Sequence, residues 1–218
     1  KKLNLMRLLF ISSLLLTIIS WNSATAQDSQ LWTSFGVDYK HSKKWSFGLE
    51  QGFRTQDGLL NKNRLFTEIG ANYKVLKGLK LFGGYRFTNK YNVETNIGHR
   101  YFIGARYNYK VERLKISVRS FYQFQQYGGD LNYKLRNRLK LSYNLPKTSV
   151  EPYVATEHFY RFFYGFDKVR FTAGLSEKLG KKFRVNLFYR FEKEVNNSSV
   201  EKRNVVGLGV VLKLDKKD

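Results

Sequence analysis

The chain has 218 residues, 42% hydrophobic and 17% aromatic, with 39 Lys or Arg against 17 Asp or Glu and a formal net charge of +22. It has no cysteine, which excludes disulfides, thiolate metal sites and a cysteine-linked lipid anchor. After the first turns of sequence, no apolar run approaches the roughly eighteen residues that a transmembrane helix needs.

The chain opens with Lys1, Lys2 and Arg7, an apolar run from Leu8 to Ile19, and the small-x-small triplet Ala24-Thr25-Ala26. This is the layout of a secretory leader, with cleavage expected after Ala26. About a dozen apolar residues are too few to anchor the chain as a spanning helix. Residues 27–218, expected as a single domain, keep 36 basic and 17 acidic residues, a net +19. An exported basic chain does not ordinarily meet nucleic acid, so the charge calls for another explanation.

The first strand, about Leu31 to Lys40, sets Leu31, Phe35, Val37 and Tyr39 against Ser34, Gly36, Asp38 and Lys40. After His41–Lys44, the residues Trp45, Phe47, Leu49 and Phe53 alternate with Ser46, Gly48, Glu50, Gly52 and Arg54. The clearest unit is the hairpin from Arg64 to Thr88. Its first arm has Leu65, Thr67, Ile69, Ala71, Tyr73 and Val75 on one face, with Arg64, Phe66, Glu68 and Lys74 on the other. Its second arm opposes Leu79, Leu81, Tyr85 and Phe87 to Lys80, Phe82, Arg86 and Thr88. A period of two gives each arm one apolar and one polar face. Each arm is about ten residues, the length of a tilted strand across a hydrocarbon layer.

The fifth strand sends Tyr101, Ile103, Ala105, Tyr107 and Tyr109 outward, with Arg100, Phe102 and Arg106 inward. The sixth sends Ile116, Val118, Tyr122 and Phe124 outward, with Arg119, Phe121 and Gln123 inward. After Gly128-Gly129-Asp130, Leu135, Leu139, Leu141 and Tyr143 alternate with Arg136, Arg138 and Lys140. Val150 to Arg161 has apolar residues on both faces and the weakest pattern. Phe171, Ala173 and Leu175 begin another arm, Gly180–Lys182 turns it, and Val185, Leu187, Tyr189 and Phe191 return opposite Arg184, Phe188, Arg190 and Glu192. The last arm carries Val206, Leu208, Val210, Leu212 and Leu214.

Tyr39, Tyr73, Tyr109, Tyr143, Leu179 and Leu214 recur at spacings of 34, 36, 34, 36 and 35 residues. A strand pair repeating in this way outlines an all-β, antiparallel, up-and-down transmembrane barrel of about 10–12 strands. Eleven arms are counted, an odd number where bacterial barrels normally have an even one. Either Val150–Phe171 hides a twelfth, or one end arm is not a full strand. Tyrosines beside the Lys-rich turns, and aromatic residues at the opposite strand ends, form two belts that fit two membrane–water interfaces. The shorter, Lys-bearing turns are expected on the periplasmic side, and the outer connections at roughly seven to nine residues.

The inward sets supply Arg54, Arg64, Arg86, Arg100, Arg106, Arg119, Arg136, Arg138, Arg184 and Arg190, against Glu50, Glu68 and Glu192. Enclosed charges must be paired or hydrated. They can form a network that stiffens the wall or a positive lumen for anionic solutes, narrowed by inward Phe66, Phe82, Phe102, Phe121 and Phe188. Catalysis would need a constellation such as a Ser–His pair. Among His41, His99 and His158, only Glu157-His158 stands out. No phosphate loop, metal-ligand spacing or dinucleotide fingerprint is present, so no cofactor and no enzymatic site are expected.

The stretch QDSQLWTSFGVDYKHSKKWSFGLEQGFRTQD, with its early Trp, its Lys-Lys-Trp turn, Glu50–Arg54 and the repeated Tyr-Lys turns, resembles a family of outer-membrane barrels common in Bacteroidetes. That family is named for its unknown function, so the resemblance implies a fold and a location but no site residues. The expectation is a non-enzymatic outer-membrane barrel of a Gram-negative bacterium, surrounded by lipid. It would be structural or an accessory subunit of an envelope complex with other envelope proteins. A narrow channel for small polar or anionic solutes is the alternative, and a lipid-modifying hydrolase is third.

Overall fold

A segment that alternates apolar and polar side chains is stable as a strand only where one face meets lipid or core and the other meets water. The computed structural model describes residues 28–56, 61–91, 97–195 and 202–216, and the expected leader lies outside them. Eleven strands follow in order: β1 (Asp28–Lys40), β2 (Trp45–Gln56), β3 (Asn61–Lys74), β4 (Leu79–Lys90), β5 (Ile97–Val111), β6 (Leu114–Tyr127), β7 (Asp130–Tyr143), β8 (Val150–Arg161), β9 (Gly165–Leu179), β10 (Phe183–Glu194) and β11 (Lys202–Asp215). They form one closed barrel in which each strand pairs with its sequence neighbours and β1 closes on β11.

The odd count is resolved differently from either expectation. Val150–Phe171 holds β8 and the beginning of β9 with a turn at residues 162–164, and no twelfth strand. β1 is a full strand, antiparallel to β2 and parallel to β11 from Asp28↔Arg203 to Lys40↔Asp215. The barrel is therefore antiparallel except at this seam. A parallel ladder satisfies the edge groups of both strands, at slightly lower stability per residue than an antiparallel one. Beyond the seam, the Lys216 N–H donates to the Lys40 carbonyl at 3.0 Å.

Because β1 and β11 run the same way, Asp28 and Lys202 lie at one end of the barrel and Lys40 and Asp215 at the other. Among the described residues, the Asp28 end carries the turns 128–129 and 162–164. The turn end carries 41–44, 75–78, 112–113, 144–149 and 180–182. Of the described turns, 128–129 and 162–164 at the Asp28 end fall within the range of lengths at the opposite end.

Outward side chains form the apolar band, with Ile103 68% and Ile69 53% exposed. At the turn end, Trp45 packs on Tyr73 at 4.8 Å between ring centroids. At the Asp28 end, Tyr85, Tyr101, Phe124 and Tyr133 form a continuous series with spacings of 5.1, 6.1 and 5.2 Å. These are the two aromatic belts.

Inside, large rings lie against glycines on the neighbouring strand. Gly52 opposes Phe66, Gly84 opposes Phe102, Gly104 opposes Phe121, and Gly207 opposes Phe188. A Cβ built on Gly207 would lie 2.0 Å from Phe188 Cζ, and one on Gly52 would lie 2.2 Å from Phe66 Cζ. The missing side chain lets each ring fold onto the wall, as in aromatic rescue of strand glycines. Four of the five phenylalanines expected to narrow the lumen are thus laid along its surface.

Candidate lumenal anion site

The inward faces enclose a cavity of about 1150 Å³ that extends from Asp28, Lys202 and Arg203 at one rim to Phe82, Phe102, Arg138 and Phe188. Among the described residues, thirteen Arg or Lys line it against five Asp or Glu, an excess of eight positive charges. Of the residues expected from the sequence, Glu50, Arg54, Arg64, Glu68, Arg86, Arg100, Arg119, Arg136, Arg138, Arg190 and Glu192 line this cavity. Arg106 and Arg184 do not; both lie nearer the turn end on their strands.

The few carboxylates are shared among several cations. Glu157, 3% exposed, accepts from Arg136 at 2.8 Å, Arg170 at 3.0 Å and Arg119 at 3.2 Å. Glu192 pairs with Arg170 at 2.6 Å and Lys168 at 3.6 Å. Glu68 stands opposite Glu50 in register and pairs with Arg86 at 2.6 Å. At the Asp28 rim, Asp167 holds Lys134 and Arg161, each at 2.6 Å.

Arg54, Arg100, Arg138 and Arg190 have no ion-pair partner among the described residues. Arg100 instead donates twice to Gln125 Oε1, at 3.0 and 2.6 Å. Others are stabilised by ring faces. Arg54 lies 3.7 Å from the Trp32 ring centroid and 5.0 Å from that of Phe66. Arg190 lies 4.9 Å from Trp32 and 4.6 Å from Phe188. The series continues through Arg170, Phe159, Arg136 and Phe121 to Arg119, with separations of 4.5–4.8 Å. Each stack contributes about 0.5–1 kcal/mol where water remains nearby. It holds the guanidinium by its face, which leaves the N–H edge to bind a carboxylate or phosphate in a bidentate manner.

Alternation on β7 had put Lys134 on the inward face and Glu157 was noted only beside His158, whereas sequence reasoning missed Trp32, Phe159, Lys168, Arg170 and Arg203; all are lumenal. Alternation within β9 and β11 would have assigned Arg170 and Arg203, but the weak pattern of β8 hid Glu157. Glu157 and His158 do not form a constellation. They are consecutive on β8, so Glu157 enters the lumen while His158 is exposed on the outer wall. His99 is also outward, with Nδ1 2.8 Å from the Tyr85 hydroxyl. Among the described residues, no group of three or more His, Cys, Asp or Glu is placed to hold a metal ion.

Comparison with solved structures gives the same architecture. A bacterial polysaccharide outer membrane secretin matches with a TM-score of 0.52 and 10% identity over 75% of this chain. The match covers 62% of the secretin chain, so the present chain spans less than two thirds of its length. The β-domain of the Bordetella autotransporter BrkA matches at 0.48 with 12% identity, over 75% of this chain and 81% of that one. The KdgM porin matches at 0.45 with 16% identity, over 73% and 81%. At these identities the likeness is one of fold. No curated protein matches the chain. Residues 29–204 match the family described as Protein of unknown function (DUF2490), and the chain belongs to that family.

Proposed function

We propose that the chain is an outer-membrane barrel whose water-filled, cation-rich lumen passes small anionic solutes. The observation that carries this reading is the thirteen-to-five excess of basic over acidic residues among the described residues around the lumen. If the lumen served only as an internal brace, cations and carboxylates would be expected in similar numbers, because unpaired enclosed charge is costly. The wall rings leave space for solute, and the stacked arginines offer it bidentate donors. Surrounding lipid is the expected environment.

A second reading is favoured by the three-arginine knot at Glu157: a non-enzymatic structural barrel, or accessory subunit of an envelope complex, in which that knot holds the wall rigid. Fractionation and solute flux separate the two. The protein should sediment with the outer membrane and migrate faster on gels when unheated. Proteoliposomes should admit gluconate faster than glucose, which is of similar size but neutral. Equal rates, or no flux of either, would favour the structural reading, and a soluble periplasmic protein would defeat both.

A further inference from the structure

Polar side chains facing hydrocarbon give up water and need another partner. At several places on the outer wall such groups find one another. Thr67 bonds Gln51 at 2.6 Å, Tyr85 meets His99 at 2.8 Å, and Tyr189 bonds Asn204 at 2.7 Å. One row differs. Ser120 on β6, Asn137 on β7 and His158 on β8 stand side by side in register on the outer face. Thr156, two residues from His158 on the same face, has its Oγ1 3.2 Å from His158 Nε2. Asn137 and Ser120 have no side-chain hydrogen bond among the described residues.

This row lies one outward position deeper than Tyr122 and Tyr160. Both belong to the belt at the Asp28 end and pack on Phe162 at 5.7 and 5.9 Å. The position beneath an aromatic belt is the boundary between head groups and acyl chains. An apolar groove of about 390 Å³ begins at Thr156. Its floor is Val154 and Ala173, which are paired in register and small, between Leu141 on β7 and Tyr189 on β10. It continues into a second groove of about 530 Å³ that reaches Pro152 and Leu175. Thr156 to Pro152 alone spans roughly 13 Å along the strand, at about 3.3 Å per residue.

We propose that this row and groove bind one acyl-ester lipid, with the ester carbonyl at Asn137 and His158 and the acyl chain along Val154 and Ala173. When the Thr156 hydroxyl donates to Nε2, the tautomer leaves His158 Nδ1–H to donate to the carbonyl beside the Asn137 amide. The polar row thereby gains the acceptor it lacks, and the groove gains close packing. The inference rests on the membrane-spanning reading, but it does not depend on what the lumen passes.

The test uses the full-length barrel, stripped of lipid in mild detergent and examined by native mass spectrometry with added phosphatidylethanolamine. One ester-linked lipid should be retained per barrel. The ether-linked analogue, which has the same head group but no carbonyl, should be held about tenfold more weakly, as should the ester lipid by the Asn137→Leu/His158→Leu protein. Ala173→Phe, which fills the groove floor, should weaken both lipids alike. Should the double variant fail to give the heat-modifiable barrel, Asn137→Ala replaces it. Equal retention of ester and ether lipid by a folded barrel would overturn the ester site and leave the membrane reading intact. A dimer that excludes lipid from this face would overturn it as well, whereas a water-soluble protein would refute the membrane reading itself.

Discussion

Glu157→Gln removes the one charge on which three guanidiniums converge. The carboxylate is 3% exposed and accepts from Arg136, Arg170 and Arg119 at 2.8, 3.0 and 3.2 Å. Gln keeps the shape and one acceptor, so the change isolates the charge. Breaking a buried ion pair typically costs about 3–5 kcal/mol, because the remaining ion is left uncompensated. Here three cations are left, but lumenal water reaches some of their edges. The two effects oppose each other, and a loss of about 3 kcal/mol is expected. Glu68→Gln releases only Arg86, from a carboxylate whose side chain is 23% exposed, and should cost about 1 kcal/mol. Ile103→Val, on the lipid face and 68% exposed, serves as the near-neutral control. Urea unfolding in lipid vesicles orders the three. If Glu157→Gln is no less stable than Glu68→Gln, the knot does not brace the wall and the reasoning fails.

The ring-on-glycine packing makes Gly207→Ala a sharp test, since its Cβ would meet Phe188 Cζ at 2.0 Å. Urea unfolding should show a loss of about 1–3 kcal/mol, while Gly129→Ala, with nothing within 4 Å, should be near neutral. Orientation is read by cysteine labelling. An impermeant maleimide should label Gly129→Cys on intact cells and Lys43→Cys only after lysis, and the reverse pattern would place the Lys-rich turns outside. The parallel seam predicts register contacts between β1 and β11, so Val37→Cys and Leu212→Cys should form a disulfide on oxidation, whereas Val37→Cys with Val206→Cys should not.

Much of the fold was legible because a barrel wall between lipid and water imposes a strict two-residue period on every strand. The Glu68–Arg86 pair followed from alternation and hairpin register alone. β8 resisted because its lumenal face carries Tyr153, Ala155 and Phe159 while its outer face carries Val154 and Tyr160. With both faces apolar, the period vanishes and Glu157 is hidden. The parallel seam was not readable, since alternation carries no strand direction and closure joins the two ends of the sequence. The role of the phenylalanines depended on register too. Phe188 alone suggests a constriction, and only its pairing with Gly207 shows where the ring can go. The outer row escaped for the same reason: Ser120, Asn137 and His158 are 17 and 21 residues apart in sequence and meet only through strand pairing.

Ion selectivity tests the lumen most directly. The purified barrel in a planar bilayer under a potassium chloride gradient should show discrete steps, with a reversal potential of the sign set by chloride. Replacing the two guanidiniums beside Trp32 that lack an ion-pair partner, in Arg54→Gln/Arg190→Gln, should move that potential toward zero. Cation-selective steps, a potential unmoved by the substitutions, or a silent bilayer with correctly inserted protein would contradict an anion-passing lumen.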